Sequence, residues 1–283
     1  MKIIEPKVEL WQQGDDSKAH VARCARVCYN KETGNDTSLI KRLLDSKHWS
    51  MFRHESVYAI IPIYEKELED YLLLVSSCPY IQVHTYHNSV YIATNEQFIL
   101  DKSYPKFIEL INMYRVTEDE FSNTEIGFHM MRYTFCIDTQ ISTSRELNRV
   151  SPNSIAEMST RYVYKDGSIC RPYWMTKDEA DRFNKGWFDI GTKTSFYLKS
   201  CNNAFADYKF LIESGMHRQD ARGVLPLDTA TRCVYTYSLK EWRAIIDLRY
   251  YGTTGQPHPN CVIITKLIKE KLEELGYDFR PKL

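Results

Sequence analysis

The chain has 283 residues, 43% of them hydrophobic, enough for one large domain or two small ones around a buried core. Lys plus Arg and Asp plus Glu each number 37, so the formal net charge is zero. That argues against a general nucleic-acid binder but leaves room for a small phosphate ligand held by two or three arginines. An aromatic content of 13% excludes a disordered chain. No apolar run approaches the ~20 residues of a membrane-spanning helix. The acid and proline at Glu5 and Pro6 come too early for a signal peptide. The expectation is a soluble cytoplasmic protein with neither nucleic acid nor membrane as partner.

In chain order, residues 17–29 read as a helix and 31–36 as a turn. Thr37 is placed to cap a second helix over 38–46, with Leu39, Ile40, Leu43 and Leu44 on one apolar face. The Ile- and Val-rich run 57–63 predicts a strand, 65–75 a helix, and 90–93 a short strand leading into a helix from near Asn95. Residues 131–137 have strand character and 139–149 helical character, with Pro152 as the stop. One long helix is predicted over 187–213, with Phe188, Thr192, Phe196, Leu198 and Phe205 as candidate buried positions. Ser238 can cap a helix through Asp247, and 261–275 closes the chain as an amphipathic helix. The pattern is α+β, without linker or internal repeat, and a single domain is the simplest reading.

Eight cysteines are scattered with no Cys-x-x-Cys pair, so neither a zinc ribbon nor a disulfide framework is indicated. Cys24 and Cys28, four apart on a predicted helix, read as small buried hydrophobes rather than ligands. His84 and His87 lie on a Thr- and Tyr-rich stretch of strand character. No metal is expected.

Polar chemistry concentrates in three segments. The run 145–162 carries Arg145, Glu146, Arg149, Ser154, Glu157, Ser159, Thr160 and Arg161. If 145–149 is helical, its two arginines share a face, and beyond Pro152 a loop with hydroxyls and a guanidinium makes a phosphate cradle. The alternative is a helix cap followed by a solvated loop. The second segment, 220–228, sets Arg222 in apolar surroundings, where burial is costly without an anion. In the third, 238–249, Ser238 can hold an anionic group on the positive end of a helix and Arg249 emerges at the other end. A surface salt bridge of little worth is the plain alternative for each.

These segments in this order, together with Trp49, Ser50, Met51, Phe52, Arg53, His54 and Glu55, resemble the flavin-dependent thymidylate synthases. The resemblance covers most of the chain, with about 64–126 reading as an insertion of longer members. Within the family's Arg-His-Arg, two residues, Ser, four residues, Ser, one residue, Arg signature, Arg149, Ser154, Ser159 and Arg161 match. Val150 and Ser151 stand where the family has His and Arg, which removes a titratable ring and a positive charge.

The resemblance implies a mixed, mainly antiparallel sheet with flanking helices, and a homotetramer with active sites between subunits. It implies FAD as cofactor, deoxyuridine monophosphate (dUMP) as substrate, and methylenetetrahydrofolate and NADPH as co-substrates. Reduced flavin would deliver hydride to the uracil ring, without a cysteine nucleophile. By the same likeness Ser159, Thr160 and Arg161 hold the nucleotide phosphate with Arg222 of a neighbouring subunit, while Glu146 and Glu157 face the substrate. Arg249, the candidate catalytic residue, lies against the pyrimidine edge. His54, Ser56, Arg149, Ser238 and Lys240 fall on the flavin side. Two alternatives stay open: a related flavoenzyme with another nucleotide substrate, and a nucleotide-binding homologue without catalysis. The stretch 64–126, with Tyr80, Tyr86, Tyr91 and Tyr104, is expected to widen a subunit interface.

Overall fold

In the computed structural model, which describes residues 1–65, 68–187 and 189–281, ten strands fall into three sheets among those residues. In chain order they are β1 (Lys2–Ile4), β2 (Lys7–Trp11), β3 (Ser56–Pro62), β4 (Gln82–Tyr86), β5 (Ser89–Asn95), β6 (Arg115–Val116), β7 (Arg132–Gln140), β8 (Ile155–Glu157), β9 (Ser168–Cys170) and β10 (Ala230–Ser238). The main sheet runs β2-β7-β10-β8, all antiparallel, and a second antiparallel sheet runs β4-β5-β3-β6; β1 and β9 pair in parallel. The fold is therefore α+β with mainly antiparallel sheets.

β7 and β10 are the frame. Both are rich in Thr, Tyr, Val and Ile, residues that suit a pleated, half-buried surface. They pair over nine residues each, from Ala230 opposite Gln140 to Ser238 opposite Arg132. Alternation sends Phe135, Ile137, Tyr235 and Tyr237 to one face, where Trp242, Ile245, Ile264, Ile268 and Leu272 of the last two helices complete the largest core cluster. Thr134, Cys136, Val234 and Thr236 point to the other face, which the helix Ser17–Val27 covers with Cys24 and Val27. The second sheet carries its own core, Val57, Ala59 and Ile61 against Val90, Ile92, Phe107 and Ile111.

Several expected boundaries shift, each for a local reason. The second helix is Asp36–Asp45 and its cap is Asn35, whose side chain accepts from the Ser38 amide at 2.8 Å, so Thr37 sits inside the first turn. Leu39, Ile40 and Leu43 are buried as expected, while Leu44 lies exposed. The helix predicted over 65–75 is observed as Leu68–Val75, with 66 and 67 outside the described residues. Asn95 does cap the helix Glu96–Asp101. β7 continues through Gln140, so the helix expected over 139–149 is shortened to Ile141–Leu147, and Arg149 does not share a helical face with Arg145.

Beyond Pro152 the chain is not all loop: Ile155–Glu157 pairs with β10. The long helix is Lys193–Glu213. Thr192 is its cap rather than a core position and Phe196 is exposed, while Leu198 and Phe205 are buried; Phe188 lies outside the described residues. Ser238 caps Leu239–Ile246 in a capping box with Glu241, and the closing helix is Pro259–Glu274. All eight cysteines are free thiols, six of them buried. Of the four tyrosines named above, Tyr80 and Tyr104 pack on the second core and Tyr91 on Phe121, leaving Tyr86 exposed. Packing, rather than an open aromatic face, accounts for three of the four.

Candidate functional site

A cleft of about 600 Å³ opens where β8 ends, between residues 157–161 and the turn Arg222–Val224. Arg145, Glu157, Ser159, Thr160, Arg161 and Arg222 line it. The tight course of 158–161 is set by backbone bonds: the Met158 amide donates to the Arg232 carbonyl at 2.8 Å and the Ser159 amide to the Cys28 carbonyl at 3.0 Å. The Arg161 amide donates to Ser159 Oγ at 3.1 Å. Arg222 Nη1 donates to Thr160 Oγ1 at 2.8 Å, and Arg161 Nη2 reaches Gln219 Oε1 at 3.5 Å. Arg222 is thus exposed and joins Ser159–Arg161 of its own chain, rather than buried in apolar surroundings.

Among the described residues, none of the three cleft arginines pairs with a carboxylate, whereas Arg171, Arg232 and Arg243 all do. Planar guanidiniums beside hydroxyls are a donor set chemically suited to an anion such as a phosphate. Glu157 is the acid at this rim, and its Oε1 accepts from Ser144 Oγ and Thr231 Oγ1, both at 3.0 Å. Behind it Lys165, with only 5% of its surface exposed, leans on the Ala230 carbonyl at 3.3 Å. Burial pushes its ammonium down to about 8.

Glu146, the neighbour of Arg145, gathers two more arginines. Its carboxylate lies 3.1 Å from Arg249 Nη2 and 3.5 Å from Arg149 Nη2, and Arg249 Nε donates to its carbonyl at 2.9 Å. Arg249 leaves a π-helical turn, Asp247–Tyr251, whose carbonyl at 249 accepts from Thr265 Oγ1 at 3.1 Å. Glu146 thus holds the guanidinium through its carboxylate and its carbonyl, and Thr265 fixes the backbone behind it. Val150, next to this group, packs against the main core, so the position that departs from the signature is an apolar seat here.

Of the flavin-side candidates, His54 and Ser56 flank Glu55 in the chain, and His54 meets β10 at Thr236, two residues before Ser238. His54 ends the short helix Trp49–His54 and is fully buried; Nδ1 lies 2.8 Å from Thr236 Oγ1, while Nε2 makes no hydrogen bond of full geometry among the described residues. Burial, seconded by nearby His20, Arg132 and Arg53, holds its ring down to about 3, hence neutral. Ser56 is fixed by Gln13, which accepts from its amide at 2.6 Å and donates to its carbonyl at 3.1 Å. Ser238 is buried, and the helix end it caps already holds the Glu241 carboxylate, 2.7 Å from both its amide and its hydroxyl. The anion expected at that helix terminus is thus supplied by the chain itself. Lys240 is exposed in a separate cleft of about 960 Å³ with Arg243, Tyr251 and Phe279.

Sequence reasoning missed the residues that tie these parts together. Arg53 donates from Nε to Gln97 Oε1 at 2.6 Å, from Nη1 to the Asn153 carbonyl at 2.5 Å and from Nη2 to Tyr80 Oη at 3.1 Å. Gln82 Nε2 donates to Ser238 Oγ at 2.9 Å. The stretch 64–126 therefore braces both the signature loop and the Ser238 cap. Arg53 stands one residue before His54, which was the available signal; Gln82 lies in a strand with no polar pattern to mark it.

A flavin-dependent thymidylate synthase of Aquifex aeolicus (strain VF5) is 21% identical over 279 residues, covering 81% of this chain and 86% of that protein. Among solved structures, a UMP/dUMP methylase, PolB, of Streptomyces cacaoi bound with 5-Br dUMP aligns at TM-score 0.44 and 17% identity, covering 97% of this chain and 93% of the other. The same enzyme bound with 5-Br UMP aligns at TM-score 0.45 and 17% identity, covering 97% and 92%. Residues 122–273, more than half the chain, match the family model described as thymidylate synthase complementing protein, and the chain belongs to that family, the flavin-dependent thymidylate synthases.

Proposed function

We propose that this protein methylates the uracil ring of dUMP to give dTMP, taking the one-carbon unit from methylenetetrahydrofolate and reducing power from NADPH through FAD. The observation that carries the reading is the single-chain cleft in which Arg145, Arg161 and Arg222, none paired with a carboxylate, surround Ser159 and Thr160. Phosphate bound there would take forked bonds from Arg161 and Arg222 and hydroxyl bonds from Ser159 and Thr160. Glu157, aimed by Ser144 and Thr231, would accept from the sugar or the ring. Arg249, held by Glu146 next to Arg145, would lie along the pyrimidine and stabilise negative charge as it develops. Arg149, sharing the same carboxylate, would face the flavin diphosphate.

The residues present fit a flavin. Lys240 beside the Tyr251 and Phe279 rings suits a phosphate-bearing aromatic group, with Arg243 of that cleft already paired to Asp247. When bound, the flavin supplies the electrons that complete the methyl group. The chain's own part is to bind, orient and neutralise charge. No cysteine lines the phosphate cleft, and burial pushes the nearby Cys28 thiol up, which supports a route without a thiolate. We read the protein as a cytoplasmic homotetramer of single-domain subunits in which 64–126 is an addition, a reading supported by the family match alone.

Titrating the FAD-loaded protein with dUMP should shift the visible flavin bands if both ligands share a site. Arg222→Ala should weaken that titration roughly 10- to 100-fold, the loss of one charge-assisted phosphate fork. Unchanged dUMP affinity in the variant would remove Arg222 from the phosphate site, and dUMP binding without any flavin response would remove the enzyme reading.

A further inference from the structure

A buried line of hydrogen bonds crosses the main sheet from the helix Ser17–Val27 to the end of the helix Trp49–His54. His20 Nε2 lies 3.2 Å from Thr134 Oγ1, Thr134 Oγ1 lies 2.7 Å from Thr236 Oγ1, and Thr236 Oγ1 lies 2.8 Å from His54 Nδ1. The line exists because β7 and β10 set Thr134 directly opposite Thr236, on the face that both histidines cover. None of the four residues is more than 5% exposed. The outer nitrogens, His20 Nδ1 and His54 Nε2, are both buried and make no hydrogen bond of full geometry among the described residues, although the Gln12 backbone stands near the first ring and the Ile155 backbone near the second.

The protons on this line can be counted. Its three links need one proton each; neither hydroxyl has another acceptor among the described residues, so both hydroxyl protons fall within the line, and one imidazole donates into it while the other accepts from it. If His20 donates from Nε2, both hydroxyls point towards His54, whose Nδ1 accepts and whose proton then sits on Nε2. If His54 donates from Nδ1, every bond reverses, His54 Nε2 becomes a bare acceptor, and the His20 proton sits on Nδ1. In either direction the two rings carry their protons on the same nitrogen.

The count holds for neutral rings, and burial holds His20 down to about 4 and His54 to about 3. The charges facing them mostly act the same way: Arg23 lowers His20, and His20, Arg132 and Arg53 lower His54, with Glu55 opposing at His20. The remaining titratable contact is Cys24 Sγ, 3.8 Å from His20 Nε2.

We infer that His20, Thr134 and Thr236 are positioning residues that lock His54 into the tautomer of His20, and so decide whether Nε2 of His54 is offered as a donor or as an acceptor. The use of that nitrogen rests on the flavin-side reading of His54; the lock itself does not. The acceptor-rich edge of a flavin would select the direction running from His20 to His54, with both protons on Nε2.

Long-range proton–nitrogen NMR on the full chain with labelled histidines reads the tautomers directly. His20 and His54 are expected to show the same nitrogen protonated. Thr134→Val, which keeps the side-chain shape and removes the hydroxyl, is expected to abolish the match, and Thr134→Ser to restore it. Opposite tautomers in the wild type, or a match that survives Thr134→Val, would overturn the lock. If Thr134→Val does not fold, the wild-type comparison alone decides. Added FAD should bring both rings to the Nε2-protonated form. Matched tautomers whose signals ignore FAD would sustain the lock and remove His54 from the flavin side.

Discussion

Replacing Arg249 by alanine is expected to lower dUMP turnover by about 10²- to 10³-fold, the usual loss when one preorganised group facing developing charge is removed. Its guanidinium is oriented by the Glu146 carboxylate at 3.1 Å and the Glu146 carbonyl at 2.9 Å, so its geometry is set before substrate arrives. The loss should appear mainly in kcat, because a group that acts on charge formed during reaction contributes little to ground-state binding. Arg249→Lys keeps the charge but not the fork and should recover only part of the rate. Steady-state kinetics beside a urea midpoint for each variant separate chemistry from folding. A rise in KM with kcat unchanged would make Arg249 a binding residue only.

Stability is expected to fall steeply between pH 6.5 and about 4, driven by His20 and His54. Burial lowers both rings from the ordinary 6.5, to about 4 and about 3 respectively. As pH drops below 6.5 the unfolded chain takes up these protons while the folded chain still refuses them. Folding stability is therefore complete above the unfolded value and is lost on the way down to the folded ones. At about 1.4 kcal/mol per unit, each ring contributes on the order of 3–5 kcal/mol to that loss. Urea unfolding at intervals from pH 7.5 to 4 measures the slope. His20→Gln should flatten it within this window; an equal slope in the variant would exclude His20 as a source.

Some elements were legible because their causes are local. Ser238 with Glu241 three residues on is a capping box in sequence and in structure, and Asn95 likewise starts the helix Glu96–Asp101. The shared face of Leu39, Ile40 and Leu43 follows from helical period alone. Other elements were not legible because pairing decides them. Residues 155–157 carry no strand pattern of their own and become β8 only by lying along Tyr235–Cys233. Residues 139 and 140 look helical from the downstream sequence, yet the long ladder opposite Ala230 and Thr231 holds them in β7. The flanking β1 and β2 strands, three and five residues long, gave too short a pattern to read.

For the candidate site the division is the same. The sequence by itself determined which chemistry is available: hydroxyls and arginines in the 145–162 run, one arginine in each later segment, no clustered thiols, and a family pattern altered at Val150 and Ser151. Which of these groups meet depends on how distant segments pack. Thr160 and Arg222, 62 positions apart, share a hydrogen bond because residues 158–161 are pinned to the Arg232 and Cys28 carbonyls beside the 218–224 turns. His20 and His54 communicate because strand register puts Thr134 opposite Thr236. Capping and periodicity act over three or four residues and can be read along the chain. Register and packing act between distant segments, and a residue's type carries no record of its distant partner.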